Sequence, residues 1–311
     1  MTEQSQPPDL TGNRGMQQTR ETLYHVVFFA CAALSVVTTV GIIVALLGDA
    51  LSFFGSYSIV EFLTGTQWSV LSNSFGVLPL VYGTLIVTFG SALIAMPLGL
   101  LTAIYLSEYA SKQMRSVLKP MLEILAGVPT VVYGYFAIVY ITPFLEATLF
   151  PSISTFNALS ASIVVGIMII PMVASISEDA MSAVPDSLRQ AGYGLGATKF
   201  NVSTRIVVPA AISGIASSFI LALSRAIGET MAVTLAMGSK PGLPSSLHPG
   251  ELFLRPYSSM TAQMVNTING ELSGGSAAYD AVFAVGLVLF VITLVMNIVS
   301  DRIASRYREE Y

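Results

Sequence analysis

The chain has 311 residues, of which 53% are hydrophobic and only 10% are charged, and its mean hydropathy is +0.72. Soluble domains carry roughly 25% charged residues, so this composition excludes an ordinary soluble protein and indicates an integral membrane protein surrounded by lipid. The formal net charge of −4 is small and by itself neither favours nor excludes nucleic acid, and we expect no nucleic-acid partner.

Six apolar stretches are long enough to cross a membrane, which takes about 20 residues per helix. They predict transmembrane helices near residues 23–47, 79–107, 118–145, 157–181, 204–238 and 279–300. Several contain proline, which membrane helices tolerate because neighbouring helices satisfy the freed backbone groups, so we expect kinked helices and no breaks. The predicted fold class is therefore all-α, a polytopic membrane helix bundle with six transmembrane helices.

Polar ends flank the predicted bundle, which occupies residues 23–300. Residues 1–22 are rich in Gln, Pro, Thr and Gly and lack the apolar content to fold alone, so we expect a disordered tail, and residues 301–311 form a second tail. Of the 14 basic residues, 11 lie in four regions: the two tails, residues 108–119 and residues 189–205. Residues 48–78 and 146–156 have none. This asymmetry predicts that the N- and C-termini are both cytoplasmic.

A polar, glycine-rich segment separates the fourth and fifth spans and reads QAGYGLGATKFNVSTRIVVP from residue 190 to residue 209. Its spacing resembles the cytoplasmic coupling motif of type I ABC importer permeases, which is Glu-Ala-Ala, three residues, Gly, nine residues and Ile-x-Leu-Pro. Four positions match the motif: Ala191, Gly196, Ile206 and Pro209. At three positions the motif's Glu, Ala and Leu are replaced by Gln190, Gly192 and Val208.

This resemblance implies that residues 185–206 dock a cytoplasmic ATPase. The glycines permit tight turns and close backbone approach, and Leu195 and Phe200 are candidate apolar anchors in a partner's groove. Gln190 keeps the length and hydrogen-bonding ability of the motif's glutamate, so we expect docking to survive this difference. An ordinary cytoplasmic loop is the alternative interpretation.

Two charged residues fall inside the fifth predicted span, in the run SRAIGETMAV. On a continuous helix Arg225 and Glu229 would share a face, because they are four residues apart. Counted from Pro209 at 1.5 Å per residue, Arg225 would lie roughly 24 Å along the helix, where a charge costs a few kcal/mol. The two residues form either a structural ion pair or part of an anion pathway, in which Glu229 orients the guanidinium group or exchanges it with the anion.

Other acidic residues have structural interpretations. Glu123 follows Lys119 by four residues, and a pair between them on one helix face explains both. Glu178, Asp179 and Asp186 precede the coupling segment, where we expect a solvated loop; charges that favour the N-terminal ends of short helices are the alternative.

Three longer runs narrow the family. RAIGETMAV at 225–233, VPTVVYG at 128–134 and MIIPMVASISED at 168–179 resemble, in order and spacing, PstC-type permeases of bacterial high-affinity phosphate importers. The resemblance covers residues 23–300 and implies the type I ABC importer permease fold, with a core of about 79–300. It also implies that Arg225 and Glu229 belong to the substrate pathway. Sulfate and molybdate permeases share the first part of that run, and the Thr-Met-Ala-Val that begins at Thr230 favours phosphate and adds Thr230 to the pathway.

The same resemblance implies the partners: a PstA-type permease, two copies of a PstB-type ATPase and an external PstS-type phosphate-binding protein, with a multi-pass location in the bacterial plasma (inner) membrane. The chain lacks the Gly-x-x-x-x-Gly-Lys-Ser/Thr phosphate-binding loop, so ATP and Mg are expected on the ATPase and no cofactor on this chain. No catalytic or metal-ligand pattern is present in the sequence, which therefore predicts a transport subunit and not an enzyme.

Three alternatives remain open at this point. A sulfate or molybdate importer would have the same architecture and another substrate. An ion-driven secondary transporter would also contain buried charge and kinked helices, but it would run without ATP. A purely structural membrane subunit would tolerate the loss of Arg225 and Glu229.

Overall fold

The structure is a computed structural model that describes the backbone of residues 14–270 and 276–306, and the side chains of residues 20–270, 276–299 and 302. Within these ranges the chain is predominantly helical, with one antiparallel β-ribbon, and the predicted all-α class is confirmed. In chain order the elements are α1 (Arg14–Ser56), α2 (Ile59–Thr64), β1 (Trp68–Ser69), β2 (Ser74–Phe75), α3 (Leu78–Ile104), α4 (Lys112–Gly127), α5 (Thr130–Phe136), α6 (Thr142–Thr148), α7 (Ala158–Ser182), α8 (Asp186–Gly194), α9 (Lys199–Val202), α10 (Val208–Ala210), α11 (Ile212–Ile227), α12 (Met231–Met237), α13 (Pro249–Phe253), α14 (Met260–Asn269) and α15 (Ala277–Arg306), with π-helical segments at Tyr105–Tyr109, Ala137–Ile141 and Ser203–Val207.

The chain divides into two compact units, residues 1–49 and residues 50–311. In the first unit α1 begins at Arg14, so the last part of the predicted disordered tail, residues 14–22, is helical. Its sequence RGMQQTRET contains several good helix formers and no proline, which explains the earlier start. Residues 1–13 lie outside the described residues. At the other end α15 continues to Arg306, so residues 301–306 of the second predicted tail are helical and residues 307–311 lie outside the described residues.

The number of membrane-crossing helices agrees with the sequence prediction when one bent helix pair is counted as a single span. Among the described residues, five helices are long and apolar enough to cross a membrane: Arg20–Ser56, Leu78–Tyr109, Thr130–Thr148, Ala158–Ser182 and Ala277–Val299. The sixth span is the pair Lys199–Ala210 and Ile212–Ile227, whose two halves meet at 70°.

The third predicted span, 118–145, is wrong in its first part. A separate helix, α4, ends at Gly127, and the spanning stretch begins only at Thr130. Val128 and Pro129 between them are extended, with ψ angles of 130° and 135°. Proline disfavours the helical conformation of the residue before it, which separates the two helices.

The fifth predicted span, 204–238, is broken twice, so the expectation of kinked but unbroken helices is wrong here. The chain bends at Ala211, two residues after Pro209, whose missing N–H weakens helical continuity. It breaks again after Ile227, and Gly228 to Thr230 connect α11 to the short helix α12.

Helix α7 lies at the centre of the second unit and packs against α3, α4, α5, α11 and α12. Small residues let the backbones approach closely: a Cβ atom added at Gly99 of α3 would lie 2.6 Å from Val173 of α7. Across from α11, the hydroxyl oxygens of Ser177 and Ser218 are 2.7 Å apart. These contacts fix the antiparallel register of α7 and α11, on which the site depends.

Candidate translocation site and coupling segment

Arg225 lies near the end of α11, and its exposed side chain lines a cavity of about 300 Å³. Helices α4 and α7 supply most of the wall. The cavity is lined by Leu106, Lys119, Leu122, Glu123, Ala126, Met168, Pro171, Met172, Ser175, Glu178 and Arg225. Among the described side chains, Arg225 has no ion-pair partner, so its guanidinium donors face the cavity.

Glu229 does not share a helix face with Arg225, because α11 ends at Ile227, and the expected geometry of the pair is wrong. Its side chain is buried, and Oε1 accepts a hydrogen bond of 3.2 Å from the backbone N–H of Ala232 in the first turn of α12. Its carbonyl oxygen accepts a bond of 2.8 Å from the Thr261 hydroxyl. Glu229 therefore holds the start of α12 and fastens it to α14.

Thr230 also belongs to the break between α11 and α12. Its hydroxyl donates to the carbonyl oxygen of Gly228 at 3.3 Å, and its carbonyl oxygen accepts from the Thr234 hydroxyl at 2.7 Å. Of the three predicted pathway residues, the structure thus places Arg225 in the cavity wall and the other two in the adjoining turn.

A buried carboxylate that sequence reasoning missed lies in the same cavity wall. Glu178 is 0% exposed, and it pairs with Arg115 and, at 2.9 Å, with the ammonium group of Lys119. Lys119 also lies 2.9 Å from Asp179, so the expected pair between Lys119 and Glu123 and the expected solvated position of Glu178 are both wrong. Arg115 and Lys119 precede Glu178 by about 60 residues, and no local pattern shows that α4 lies beside α7.

The coupling segment folds as two helices joined by a tight turn. Helix α8 ends at Gly194, and Gly196 has a φ of +78°, a conformation that side-chain-bearing residues rarely adopt. The N–H of Gly196 donates to Tyr193 and the N–H of Ala197 donates to Gly192, which satisfies the last carbonyl oxygens of α8. Glycine is thus favoured at position 196 because the turn requires a positive φ angle there.

One predicted anchor lies in this turn and the other in the helix that follows it, α9. Leu195 and Phe200 are both exposed, as are Gln190 and Ala191 on α8. Gly192 is buried, and a Cβ atom there would lie 2.6 Å from Cδ1 of Ile206, so these two motif positions pack on each other. Pro209 follows at the surface, two residues before the bend.

A second buried ion pair fastens α8 to the end of the α3 span. Arg189 is 15% exposed and lies 3.1 Å from Oε1 of Glu108, which is 4% exposed. The same guanidinium group donates to the carbonyl oxygens of Val184 and Met181 at 2.5 and 2.7 Å. Residue 189 directly precedes the motif, and its partner lies 81 residues earlier, so the sequence offers no signal for this contact.

Three comparisons with known proteins agree with this architecture. The family model described as "Binding-protein-dependent transport system inner membrane component" matches residues 95–309. The chain is 34% identical to the probable ABC transporter permease protein YqgH of Bacillus subtilis strain 168, over 96% of this chain and 95% of the relative. It is 33% identical to the phosphate transport system permease protein PstC of Mesorhizobium japonicum, over 89% of this chain and 87% of the relative.

Solved structures show the same fold. A chain of a bacterial alginate ABC transporter, crystallised in complex with an alginate pentasaccharide-bound periplasmic protein, matches 94% of this chain and 98% of its own length with a TM-score of 0.65 at 15% identity. The expected ABC importer permease fold is confirmed. This chain belongs to the family of inner membrane components of binding-protein-dependent transport systems, and it is a multi-pass membrane transport subunit and not an enzyme.

Proposed function

We propose that this chain is a permease subunit of an ATP-driven importer of inorganic phosphate. The observation that carries the proposal is the 33% identity, over 89% of the chain, to a phosphate transport system permease. The position of Arg225 agrees with it, since its guanidinium group lines a cavity beside α4 and α7 and has no ion-pair partner among the described side chains. Charges within a membrane face the bundle interior or a water-filled path, and a guanidinium fork matches the oxygens of phosphate.

The coupling segment supports the importer part of the proposal. Residues 185–206 present two exposed apolar side chains, Leu195 and Phe200, and Arg189 of this segment is tied to Glu108 at the end of the α3 span. We infer that this surface docks a PstB-type ATPase, which binds ATP and Mg. Closure of two such ATPases would move the coupling helices and open the pathway outward in alternating access.

The remaining partners complete the assembly. A PstA-type permease would form the other half of the pathway, facing the cavity that holds Arg225. A PstS-type binding protein would deliver phosphate to the outer segments 48–78 and 239–278. This arrangement needs both termini in the cytoplasm and a location in the bacterial plasma (inner) membrane, as the distribution of Lys and Arg indicates.

The test is uptake of labelled phosphate by the complete complex in liposomes, with excess arsenate, sulfate or molybdate as competitor. Arsenate should compete because it has the charge and shape of phosphate, whereas sulfate and molybdate should not. Uptake of labelled sulfate or molybdate in place of phosphate would keep the architecture and refute the substrate.

A further inference from the structure

We propose that Lys119 forms a second anion-binding station in the cavity, which receives the oxyanion after it leaves Arg225. The inference rests on the proposed function, which supplies phosphate as the anion. The ammonium group of Lys119 is paired with the carboxylates of Glu178 and Asp179, and the anion binds by replacing one of them.

The cavity extends along α7 from Met168 to Glu178, ten residues that span roughly 15 Å at 1.5 Å per residue. Ser177 of α7 contacts Ser218 of α11, so Arg225, seven residues beyond Ser218 on the antiparallel helix, lies nearer the Met168 end. Lys119 contacts Glu178 at the opposite end, close to the coupling segment. The two cations therefore mark two levels of one cavity. Its volume of about 300 Å³ is at the lower end of ligand pockets, which hold roughly 300–1,000 Å³.

The charges of the four ion-paired groups at the Glu178 end balance in this state, while the exposed carboxylate of Glu123 adds a negative charge to the same cavity wall. Arg115 and Lys119 supply two positive charges, and Glu178 and Asp179 supply two negative charges. An anion can gain a full contact there only if one cation leaves a carboxylate. The contacts of the two cations differ.

Lys119 is the cation that can turn away. Its contact with Asp179 is weak, since that carboxylate is 63% exposed and water replaces the ammonium group readily. Glu178 is fully buried, but it keeps Arg115 and the Ser182 hydroxyl, which donates to it at 3.0 Å. No buried carboxylate is left unpaired when Lys119 turns to the anion, which would otherwise be costly.

Arg115 has the opposite role. Its Nη2 atom donates to both Glu178 and the Ser182 hydroxyl, so it holds the buried carboxylate in place. Lysine suits the mobile position because its ammonium group is a compact charge on a flexible stem with three rotatable donors. Arg115 is thus the fixed cation, and Lys119 is the cation that exchanges its carboxylate for the anion.

The test is equilibrium binding of labelled inorganic phosphate to the complete membrane complex in nanodiscs, without ATP and without the binding protein. Lys119→Gln should weaken binding about tenfold, as expected for the loss of a charged hydrogen bond. Asp179→Asn should strengthen binding by about two- to fivefold, because it removes a competing but exposed carboxylate. Lys112→Gln, the same substitution at an exposed lysine of α4 that does not line the cavity, should leave binding unchanged.

Lys119→Arg keeps the charge and should bind phosphate within about twofold of the wild type, which separates a loss of charge from a loss of folding. Unchanged binding in both Lys119→Gln and Asp179→Asn, in a complex whose uptake still requires Arg225, would overturn the second station and leave the proposed function in place. A wild-type complex that transports sulfate or molybdate and not phosphate would instead overturn the proposed function. Titration of the same variants with the transported anion would then test whether Lys119 binds that anion.

Discussion

At the scale of single residues, Arg225 carries the proposed substrate contact. Arg225→Gln removes the charge and the guanidinium fork but keeps much of the side chain's length. Since Arg225 has no ion-pair partner among the described side chains, the substitution leaves no carboxylate unpaired, and we expect normal assembly. Phosphate uptake should fall by at least about tenfold, the effect of losing a charged hydrogen bond.

The measurement is initial uptake by the reconstituted complex, with assembly followed by size-exclusion chromatography. Arg20→Gln is a suitable control, because Arg20 is exposed on α1 and lies outside the cavity lining, the coupling segment and the two outer segments. Uptake at the wild-type rate by a fully assembled Arg225→Gln complex would refute the pathway role.

Gly196 carries a second prediction, which concerns coupling. Any side chain at its φ of +78° is strained, at about 1–2 kcal/mol, so Gly196→Val should distort the turn that presents Leu195 and Phe200. ATP hydrolysis should then proceed with less phosphate transported per ATP. Gly194→Val is the matched control, since a Cβ atom there meets nothing within 4 Å and its φ is not positive. Equal phosphate-to-ATP ratios in the two variants would count against the coupling assignment.

Sequence reasoning at this scale succeeded where the cause was local. Gly196 stands in a turn whose geometry depends on its immediate neighbours, so the glycines of the motif were sufficient to predict a tight turn there, while its role in coupling stays a prediction. The geometry of Arg225 and Glu229 was wrong because the helix breaks between them. Glu178 was missed because its burial depends on a helix about 60 residues away.

At the scale of elements, the ion pair between Arg189 and Glu108 connects the coupling helix α8 to the end of the α3 span. We predict that Arg189→Gln uncouples α8 from the membrane helices, so that ATP hydrolysis continues while uptake falls severalfold. It should also lower the melting temperature, since it leaves the nearly buried carboxylate of Glu108 without its cation.

A double-mutant cycle tests this connection. Arg189→Gln and Glu108→Gln together should cost less than the sum of the two single changes, because both remove one interaction. Arg20→Gln, at an exposed position of α1 outside this segment, should have little effect on either readout. If the effects of Arg189→Gln and Glu108→Gln are strictly additive, the two residues do not interact.

Hydropathy predicted the number and order of the spans but not how two of them are divided. The third predicted span merged α4 with the following helix, because α4 is apolar enough on one face to extend the hydrophobic run. The fifth merged three helices across Pro209 and Gly228. In both cases hydrophobicity measures how apolar a stretch is, whereas proline and local backbone geometry decide where a helix ends.

At the scale of the whole molecule, the central claim is that this chain moves phosphate only when a docked ATPase hydrolyses ATP. The cavity, the buried ion pairs and the coupling segment all belong to one unit of the chain, residues 50–311. An ion-driven transporter could have a cationic cavity as well, but it would need no docking surface. The energy source therefore separates the proposed function from this alternative better than any single substitution does.

The most direct measurement is accumulation of labelled phosphate in liposomes that contain the complete complex, with ATP supplied on the ATPase side. We expect accumulation above the external concentration with ATP and none without it, even when a proton or sodium gradient is imposed. Accumulation driven by such a gradient without ATP would refute ATP-driven transport by this chain.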